Sequence, residues 1–233
     1  PSIHFGRVRG MFIGVPYKIH EKAATILAQI CCYGNQLPEG AATSPIISNM
    51  ICGKLDSELQ KFAYYYHLAY SRYCDDITFS SNSPWLPREA VVKITHLEND
   101  KWDVKVGDRL QQIIQENGFV INEKKVRISF KAKRQEVTGL VVNQFPNVKR
   151  KLIRQVRTML NCWEKKGETA AETLFFSVFD NKLRNWHYNP SFRQVVQGKL
   201  NFIKMVKGEK SPVFAKLANR FYAQTGNQKT YLT

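Results

Sequence analysis

A chain of 233 residues with 43% hydrophobic and 23% charged residues can form apolar cores, which excludes an intrinsically disordered protein. Its 35 lysines and arginines against 19 acidic residues give a formal net charge of +16, which favours a polyanionic partner. No stretch approaches the roughly 20 unbroken apolar residues of a membrane-spanning helix, and no signal-peptide pattern opens the sequence, so we expect no membrane partner.

The cysteines and the first residue bear on the location and completeness of the protein. The cysteines are odd in number and lack the paired spacing of a metal site, so they are expected to be free thiols of a reducing cytoplasm. They are Cys31, Cys32, Cys52, Cys74 and Cys162. The sequence begins at Pro1 without a methionine, which indicates a fragment of a longer protein.

The first elements in chain order are two helices. Apolar residues at helical spacing predict a helix over Glu21–Tyr33, which a loop containing Gly34 and Gly40 ends. Ser44 as N-cap and Pro45 in the first helical position then start a second helix. Apolar residues recur at every fourth position along it, namely Ile47, Ile51, Leu55 and Leu59.

A β-hairpin follows the second helix. The segments Leu68–Tyr73 and Ile77–Ser80 are short and rich in aromatic and β-branched residues, which is typical of strands. Between them stand the adjacent acids Asp75 and Asp76. The pattern predicts a hairpin with both carboxylates at its tip.

The next part of the chain mixes elements. We expect an irregular insertion over 81–105, a helix over Val106–Asn117 that Gly118 ends, and three further strands. These strands are predicted at Phe119–Ile121, Val126–Phe130 and Glu136–Val142.

Beyond Asn147 the apolar period becomes helical. One helix carries Leu152, Val156, Met159, Leu160 and Trp163, and another carries Phe192, Val195, Val196, Leu200 and Ile203. We therefore divide the chain into domains 1–146 and 147–233. The segment from Lys149 onward holds 17 lysines and arginines against 5 acids, which is +12 of the total charge of +16.

Adjacent carboxylates at a turn repel each other unless a cation compensates. Divalent metal ions do so, and Mg²⁺ prefers such hard oxygen ligands. Transfer of a nucleotide to a 3′-hydroxyl uses two Mg²⁺ ions about 4 Å apart. Successive side chains of a strand face opposite sides, so Asp75 and Asp76 are expected to have unequal roles. Taken alone, the pair is more often an ordinary turn.

Two boxes in the expected order carry more information than either alone. Tyr73-Cys74-Asp75-Asp76 resembles the YxDD box of reverse transcriptases, with Cys74 in the variable position. Upstream, the stretch LPEGAATSP, from Leu37 to Pro45, resembles the LPQGxxxSP segment of that family. The sequence is therefore similar to reverse transcriptases.

Further stretches are similar to the bacterial retron type. Gly118–Lys125 resembles a G-x-x-x-N-x-x-K stretch of the family, and Val137-Thr138-Gly139 matches a VTG box typical of retron enzymes. The start, Pro1–Val8, resembles the end of the first palm motif, and Gly198–Ile203 resembles a late thumb helix. The resemblance touches most of the chain but not 82–105.

The sequence departs from the family at two points. The first metal-binding aspartate of the family stands a few residues before the Pro-Ser pair, which here would be before Pro1. Glu39 stands where the family usually has glutamine. A carboxylate repels nucleotide phosphates whereas an amide both donates and accepts hydrogen bonds, so we expect altered nucleotide affinity or metal dependence.

The resemblance implies roles for the residues of the boxes. Asp75 is the expected principal metal ligand and Asp76 the secondary one, with Lys125 placed to protonate or neutralise the leaving pyrophosphate. For Lys125 a solvated lysine is the alternative. Nucleotide and template binding is expected from Gln36, Pro38, Glu39, Gly40, Ala42, Thr43, Arg72 and Tyr73. For Tyr73 an ordinary core position is the alternative.

The basic start of the first C-terminal helix is a candidate phosphate-binding surface. It comprises Lys149, Arg150, Lys151, Arg154 and Arg157, and its alternative is a solvated helix face. Such contacts would set affinity without reading base sequence. The aromatic residues Trp163, Trp186 and Phe202 are more often core than stacking platforms.

The resemblance implies an α+β right-hand polymerase: a palm with an antiparallel sheet over 1–146, followed by an all-helical thumb. It implies an RNA-directed DNA polymerase of an antiphage system that extends a primer hydroxyl with dNTPs on an RNA template, using two Mg²⁺ ions or Mn²⁺. The implied partners are an RNA–DNA duplex, a cognate structured RNA and an effector protein. The alternatives are a group II intron-like or other defence-associated reverse transcriptase, and an inactive nucleic-acid-binding scaffold.

Overall fold

The computed structural model describes residues 3–96, 102–183 and 190–226. The chain forms two compact units, 1–128 and 129–233, and combines helices with small antiparallel sheets, an α+β composition. The division between the units falls before the domain boundary predicted at 146, and the domain roles remain predictions. No helix in the described ranges has both the length and the apolar character to cross a bilayer.

Three helices open the first unit: α1 (Phe5–Ile13), α2 (Glu21–Cys31) and α3 (Ser44–Ile51). They share a small core of Val8, Phe12, Ala24, Ala28, Cys31 and Ile47. The helix predicted over Glu21–Tyr33 is confirmed as α2, which begins at the predicted residue and ends two residues early.

The helix predicted from Ser44 through Leu59 is two helices, because α3 ends before Cys52 and α4 (Gly53–Tyr65) begins after it. Ile47 packs in the core of α1 to α3, whereas Leu55 and Leu59 pack in a second core. The four-residue spacing is therefore shared by two helices with different packing partners. The N-cap is Thr43, not Ser44, and its side chain makes no capping hydrogen bond.

The predicted hairpin is confirmed as β1 (Ala69–Tyr73) paired antiparallel with β2 (Asp76–Ser80). Tyr70 and Phe79 form a cross-strand pair with ring centroids 5.4 Å apart. The hairpin packs on the second core, which α4 supplies together with a later helix, α5 (Asp108–Glu116).

The segment 81–105 was predicted to be irregular, and this is wrong for the described residues from Val91 onward. There, β3 (Val91–His96) pairs antiparallel with β4 (Trp102–Val106). Gly107 joins β4 to α5 at a close backbone approach, since a Cβ there would lie 2.1 Å from the Glu89 carbonyl oxygen. A glycine is required at this junction, because real Cβ contacts are never this short.

The two strands predicted at 119–121 and 126–130 are not formed, although the structure describes all of these residues. Phe119 and Ile121 instead pack on the second core without a strand partner. A short 3-10 turn, Glu123–Lys125, follows them. The apolar residues Phe119 and Ile121 are thus half-buried against a helical core without sheet pairing.

The second unit begins with a short hairpin, β5 (Glu136–Val137) with β6 (Leu140–Val141). Its two loop residues, Thr138 and Gly139, both have positive φ, which is the pattern of a type I′ turn. The single strand predicted over Glu136–Val142 is therefore a tight hairpin.

The described part of the second unit continues with four helices: α6 (Arg150–Lys166), α7 (Glu168–Leu183), α8 (Phe192–Lys207) and α9 (Pro212–Thr225). The two helices predicted from periodicity are confirmed as α6 and α8. Ser191 caps α8 with a reciprocal capping box to Gln194. Trp163 lies in the core against Phe192 and Phe221, whereas Phe202 is 40% exposed. Trp186 lies outside the described residues.

Candidate active site

The two acids lie at the tip of the β1–β2 hairpin. Tyr73 pairs with Asp76, so Cys74 and Asp75 are the two loop residues. A positive φ at the first loop residue, Cys74 at 52°, together with its absence at the second, is the pattern of a type II′ turn. The Asp75 side chain is 82% exposed, and Asp76 is also exposed. Both carboxylates are therefore open to a ligand from solvent.

Lys125 is brought beside this turn by the 3-10 turn that contains it. Its Nζ lies 3.7 Å from Oδ2 of Asp75, and its side chain is 67% exposed. An exposed ion pair of this length contributes at most about 1 kcal/mol, so the ammonium can leave the carboxylate for another anion. The structure thus places together the three residues predicted to be catalytic.

Arg72 precedes the turn and is nearly buried, with a side chain 7% exposed. Its guanidinium binds Asp56 through two hydrogen bonds of 2.7 Å, one from Nε and one from Nη2. It also donates to the Cys74 carbonyl at 2.8 Å and to Asn49 Oδ1 at 3.2 Å. Tyr70 donates its hydroxyl to Asp56 at 2.6 Å. We call these five residues the Arg72 network.

The charges of the network are fixed at neutral pH. Hydrogen bonding from Arg72 holds the pKa of Asp56 below its usual value, with a further contribution from the Tyr70 hydroxyl. Burial, followed by the hydrogen bond to Asp56, raises the pKa of Tyr70. Asp56 is therefore an ionised acceptor and Tyr70 a neutral donor.

Sequence reasoning did not identify Asp56, Asn49 or Tyr70. One signal was available, since Tyr70 and Arg72 stand two apart on a strand and so share a face. Polar side chains on the half-buried face of a strand need hydrogen-bond partners. The partner itself comes from α4, and periodicity alone does not identify it.

The segment predicted to bind nucleotide is a loop held against α1 and α3. Backbone hydrogen bonds join Leu37 to Ile3 and close a turn from Tyr33 to Gln36. Ser44, at the start of α3, donates its hydroxyl to the Pro38 carbonyl at 2.6 Å. These contacts fix the two ends of the loop.

Between these fixed ends the loop faces solvent. Glu39, Gly40, Ala42 and Thr43 are exposed, and Gly40 has φ +83°, which favours glycine. Tyr73 is 68% exposed, so it is not a core residue. How closely the loop approaches Asp75 and Asp76 in a complex remains a prediction.

The basic residues at the start of α6 differ in their surroundings. Lys149 forms an ion pair with Glu136, which also lies 3.4 Å from Arg134. Arg150, Lys151, Arg154 and Arg157 are exposed. Arg150, Arg154 and Arg157 follow at spacings of four and three, so they share one helix face. Lys149 is thus already neutralised in part.

The acidic turn offers two carboxylates to a metal ion. Within the described ranges, no group of three or more histidine, cysteine, aspartate or glutamate side chains could hold a metal. Two carboxylates still suit Mg²⁺, because it commonly takes one or two protein carboxylates and completes its shell with water and substrate phosphates. The donor set at Asp75 and Asp76 therefore fits this ion.

Comparison with known proteins supplies relatives but no family model, since none matches the chain. The chain is 39% identical over 144 residues to the retron Ec86 reverse transcriptase of Escherichia coli, covering 62% of this chain and 39% of that protein. It is 34% identical over 142 residues to the retron Mx162 reverse transcriptase of Myxococcus xanthus, covering 58% and 28%. It is 31% identical over 179 residues to the retron Mx65 enzyme of that organism, covering 69% and 38%.

These matches show that the chain is related to reverse transcriptases. More narrowly, it corresponds to part of a retron-type reverse transcriptase sequence. The chain spans between 28% and 39% of the length of these curated relatives.

Proposed function

We propose that the intact protein is an RNA-directed DNA polymerase of retron type, which extends a primer hydroxyl with dNTPs on an RNA template. The observation that carries this proposal is the exposed turn with Asp75, Asp76 and Lys125, in a chain similar to retron reverse transcriptases. In this proposal the first unit belongs to the palm and the helices of the second unit to the thumb.

Asp75 and Asp76 would hold Mg²⁺, with Mn²⁺ as an alternative. When bound, two such ions supply activation of the primer hydroxyl and neutralisation of the triphosphate. Asp75 is assigned as the principal ligand from the family resemblance, and its side chain is 82% exposed on the turn, with only a weak ion pair to Lys125. Lys125 neutralises the leaving pyrophosphate, since its weak pairing with Asp75 leaves the ammonium free to move.

The remaining proposed roles, in binding nucleotide, template, primer and duplex, are assigned mostly to exposed residues. The nucleotide and template bind at the exposed loop of Glu39, Gly40, Ala42 and Thr43. Gln36 and Pro38 contribute to the same site at the anchored start of this loop. The exposed ring of Tyr73 contacts the primer end. The cations of α6 bind duplex phosphates. A structured cognate RNA, an effector protein and a role in antiphage defence are proposed from the family resemblance.

The direct test is primer extension by the intact protein on an RNA template with dNTPs and Mg²⁺. Product that requires template, nucleotide and divalent metal supports the polymerase. A protein that binds RNA tightly but yields no product would instead be a binding scaffold. The binding-scaffold alternative is favoured by one observation. Among the residues that the structure describes, Asp75 and Asp76 have no third clustered ligand beside them.

Replacing Glu39 by glutamine should preserve activity and lower the KM for dNTP by about threefold. The substitution removes an exposed negative charge near the proposed triphosphate site, and screening in an exposed loop keeps the effect small. Steady-state kinetics at fixed Mg²⁺ measure it. Loss of activity in this variant would assign Glu39 a role of its own, such as binding a metal.

The Lys151→Ala, Arg154→Ala double variant should flatten the dependence of RNA affinity on salt. Each neutralised phosphate contributes roughly 0.7 to 0.9 to the log-log slope, so the two substitutions together should reduce it by about 1.5. Titrations between about 50 and 300 mM salt measure the slope.

A matched control removes two exposed cations from the other end of the same helix. Lys165 and Lys166 lie about 20 Å from Lys151 along α6. Their replacement by alanine should change the slope by less than half as much. An unchanged slope in the first variant would mean that Lys151 and Arg154 are only a solvated face.

A further inference from the structure

Arg72 connects the turn that carries the acids to two helices of the first unit, α3 and α4. Of the five N–H groups of a guanidinium, four are used in this network. Two reach Asp56 on α4, one reaches Asn49 on α3, and one reaches the Cys74 carbonyl within the turn. The side chain thus bridges three separate elements of the first unit.

We propose that Arg72 is a positioning residue, which fixes the Cys74-Asp75 turn against α3 and α4 and thereby sets the position of the acids. The inference deepens the proposed polymerase function and rests on it. It also replaces the expectation that Arg72 binds nucleotide or template, because a side chain 7% exposed with four protein acceptors has little left to offer a substrate.

The arrangement needs arginine specifically. The planar fork donates two parallel hydrogen bonds to one carboxylate while a third N–H points elsewhere, and a lysine ammonium does not reproduce that geometry. Asp56 is oriented in turn by the Tyr70 hydroxyl at 2.6 Å. The orientations of Arg72 and Asp56 are therefore both fixed by hydrogen bonds, and Arg72 fixes the Cys74 carbonyl through a further one.

The backbone conformation of the Cys74-Asp75 turn requires stabilisation by its surroundings. A two-residue loop with a non-glycine residue at φ 52° is a sparsely populated conformation, which persists when its surroundings fix it. The hydrogen bond from Arg72 to the Cys74 carbonyl acts on that residue directly. Through Asn49 the same guanidinium also reaches α3, the helix that follows the proposed nucleotide loop.

The test compares Arg72→Lys with a matched control, Arg220→Lys, in the intact protein. Arg220 on α9 makes an equivalent two-bond pair with Glu164, at 2.7 and 2.6 Å, in the second unit. We measure amide hydrogen exchange of residues 69–80, thermal unfolding, kcat, KM for dNTP and the Kd for RNA.

Arg72→Lys should accelerate exchange in the hairpin by about tenfold and lower kcat by roughly a hundredfold, since a displacement near 1 Å costs about that much. The KM for dNTP and the Kd for RNA should stay within about threefold. Arg220→Lys should leave hairpin exchange and kcat unchanged. If Arg72→Lys does not fold, Asn49→Ala removes one anchor only and should show the same pattern at smaller amplitude.

Hairpin exchange equal to wild type in Arg72→Lys would overturn the proposal. A raised KM with unchanged kcat would also overturn it and would restore nucleotide binding as the role of Arg72. An equal fall of kcat in the Arg220→Lys control would make the effect one of general stability, which also contradicts positioning. If wild-type protein extends no primer, the proposed function fails, whereas hairpin exchange still decides whether Arg72 holds the turn.

Discussion

Asp75→Asn in the intact protein should lower primer extension by about a thousandfold or more, while the Kd for RNA stays within about threefold of wild type. Losing a metal ligand removes several kcal/mol of transition-state stabilisation, and each 1.4 kcal/mol corresponds to about a factor of ten in rate. The Asp75 side chain is 82% exposed and lies on a turn, so the fold should tolerate the substitution. Single-turnover extension and equilibrium RNA binding measure the two effects separately.

The control for charge alone is Asp108→Asn, since Asp108 is an exposed acid in the same unit at the start of α5. It should change extension by less than about twofold. Asp76→Asn should be equally or less severe than Asp75→Asn, and a larger loss at Asp76 would reverse the two roles. Extension by Asp75→Asn within a few-fold of wild type would refute Asp75 as the principal metal ligand.

Trp163→Ala should destabilise the second unit by about 3 to 5 kcal/mol and lower its unfolding midpoint by more than about 10 °C. The indole is 4% exposed and packs edge-on against Phe192 and Phe221, with ring centroids 5.6 and 5.8 Å away. Truncation would leave a cavity that the surrounding helices can only partly fill. Calorimetry or circular dichroism on heating measures the loss.

Phe202→Ala is the matched control, because this aromatic residue on α8 is 40% exposed. It should cost less than about 1 kcal/mol. Were Trp163→Ala to leave the unfolding midpoint unchanged and weaken RNA binding instead, Trp163 would be a stacking platform and not a core residue. RNA binding measured well below the unfolding transition separates the two cases.

Sequence alone predicts the parts of this fold that depend on local signals. The β1–β2 hairpin was predicted correctly because two short segments rich in aromatic and β-branched residues flank the adjacent acids. The helices α6 and α8 were predicted because each carries an apolar stripe of helical period along its length. In these elements the residues that determine the structure are neighbours in the chain.

Elements whose partners are distant in sequence were predicted less well. Phe119 and Ile121 look like strand residues, yet they are half-buried by packing on a core and no strand pairs with them. The break at Cys52 was missed because the apolar spacing continues across it while the packing partner changes. In both cases tertiary contacts determine the outcome over local preference.

The candidate site shows the same limit. The acids and Lys125 follow from motifs, and the structure places Lys125 Nζ 3.7 Å from Asp75. The hydrogen bonds of Arg72 to Asp56 and Asn49 join residues 16 and 23 positions apart, on elements with separate periodicities. Such a network becomes visible only when the helices are in place around the hairpin.

The turn also contains a thiol, and this has a practical consequence for spectroscopy. Cys74 is exposed, whereas the other four cysteines are buried or half-buried, and burial raises the pKa of Cys52 and of Cys32. Because thiol reagents react with the thiolate, a small fluorinated label should attach first at Cys74. Its ¹⁹F resonance would then report occupancy of the adjacent carboxylates in real time, without a substrate and without an engineered cysteine.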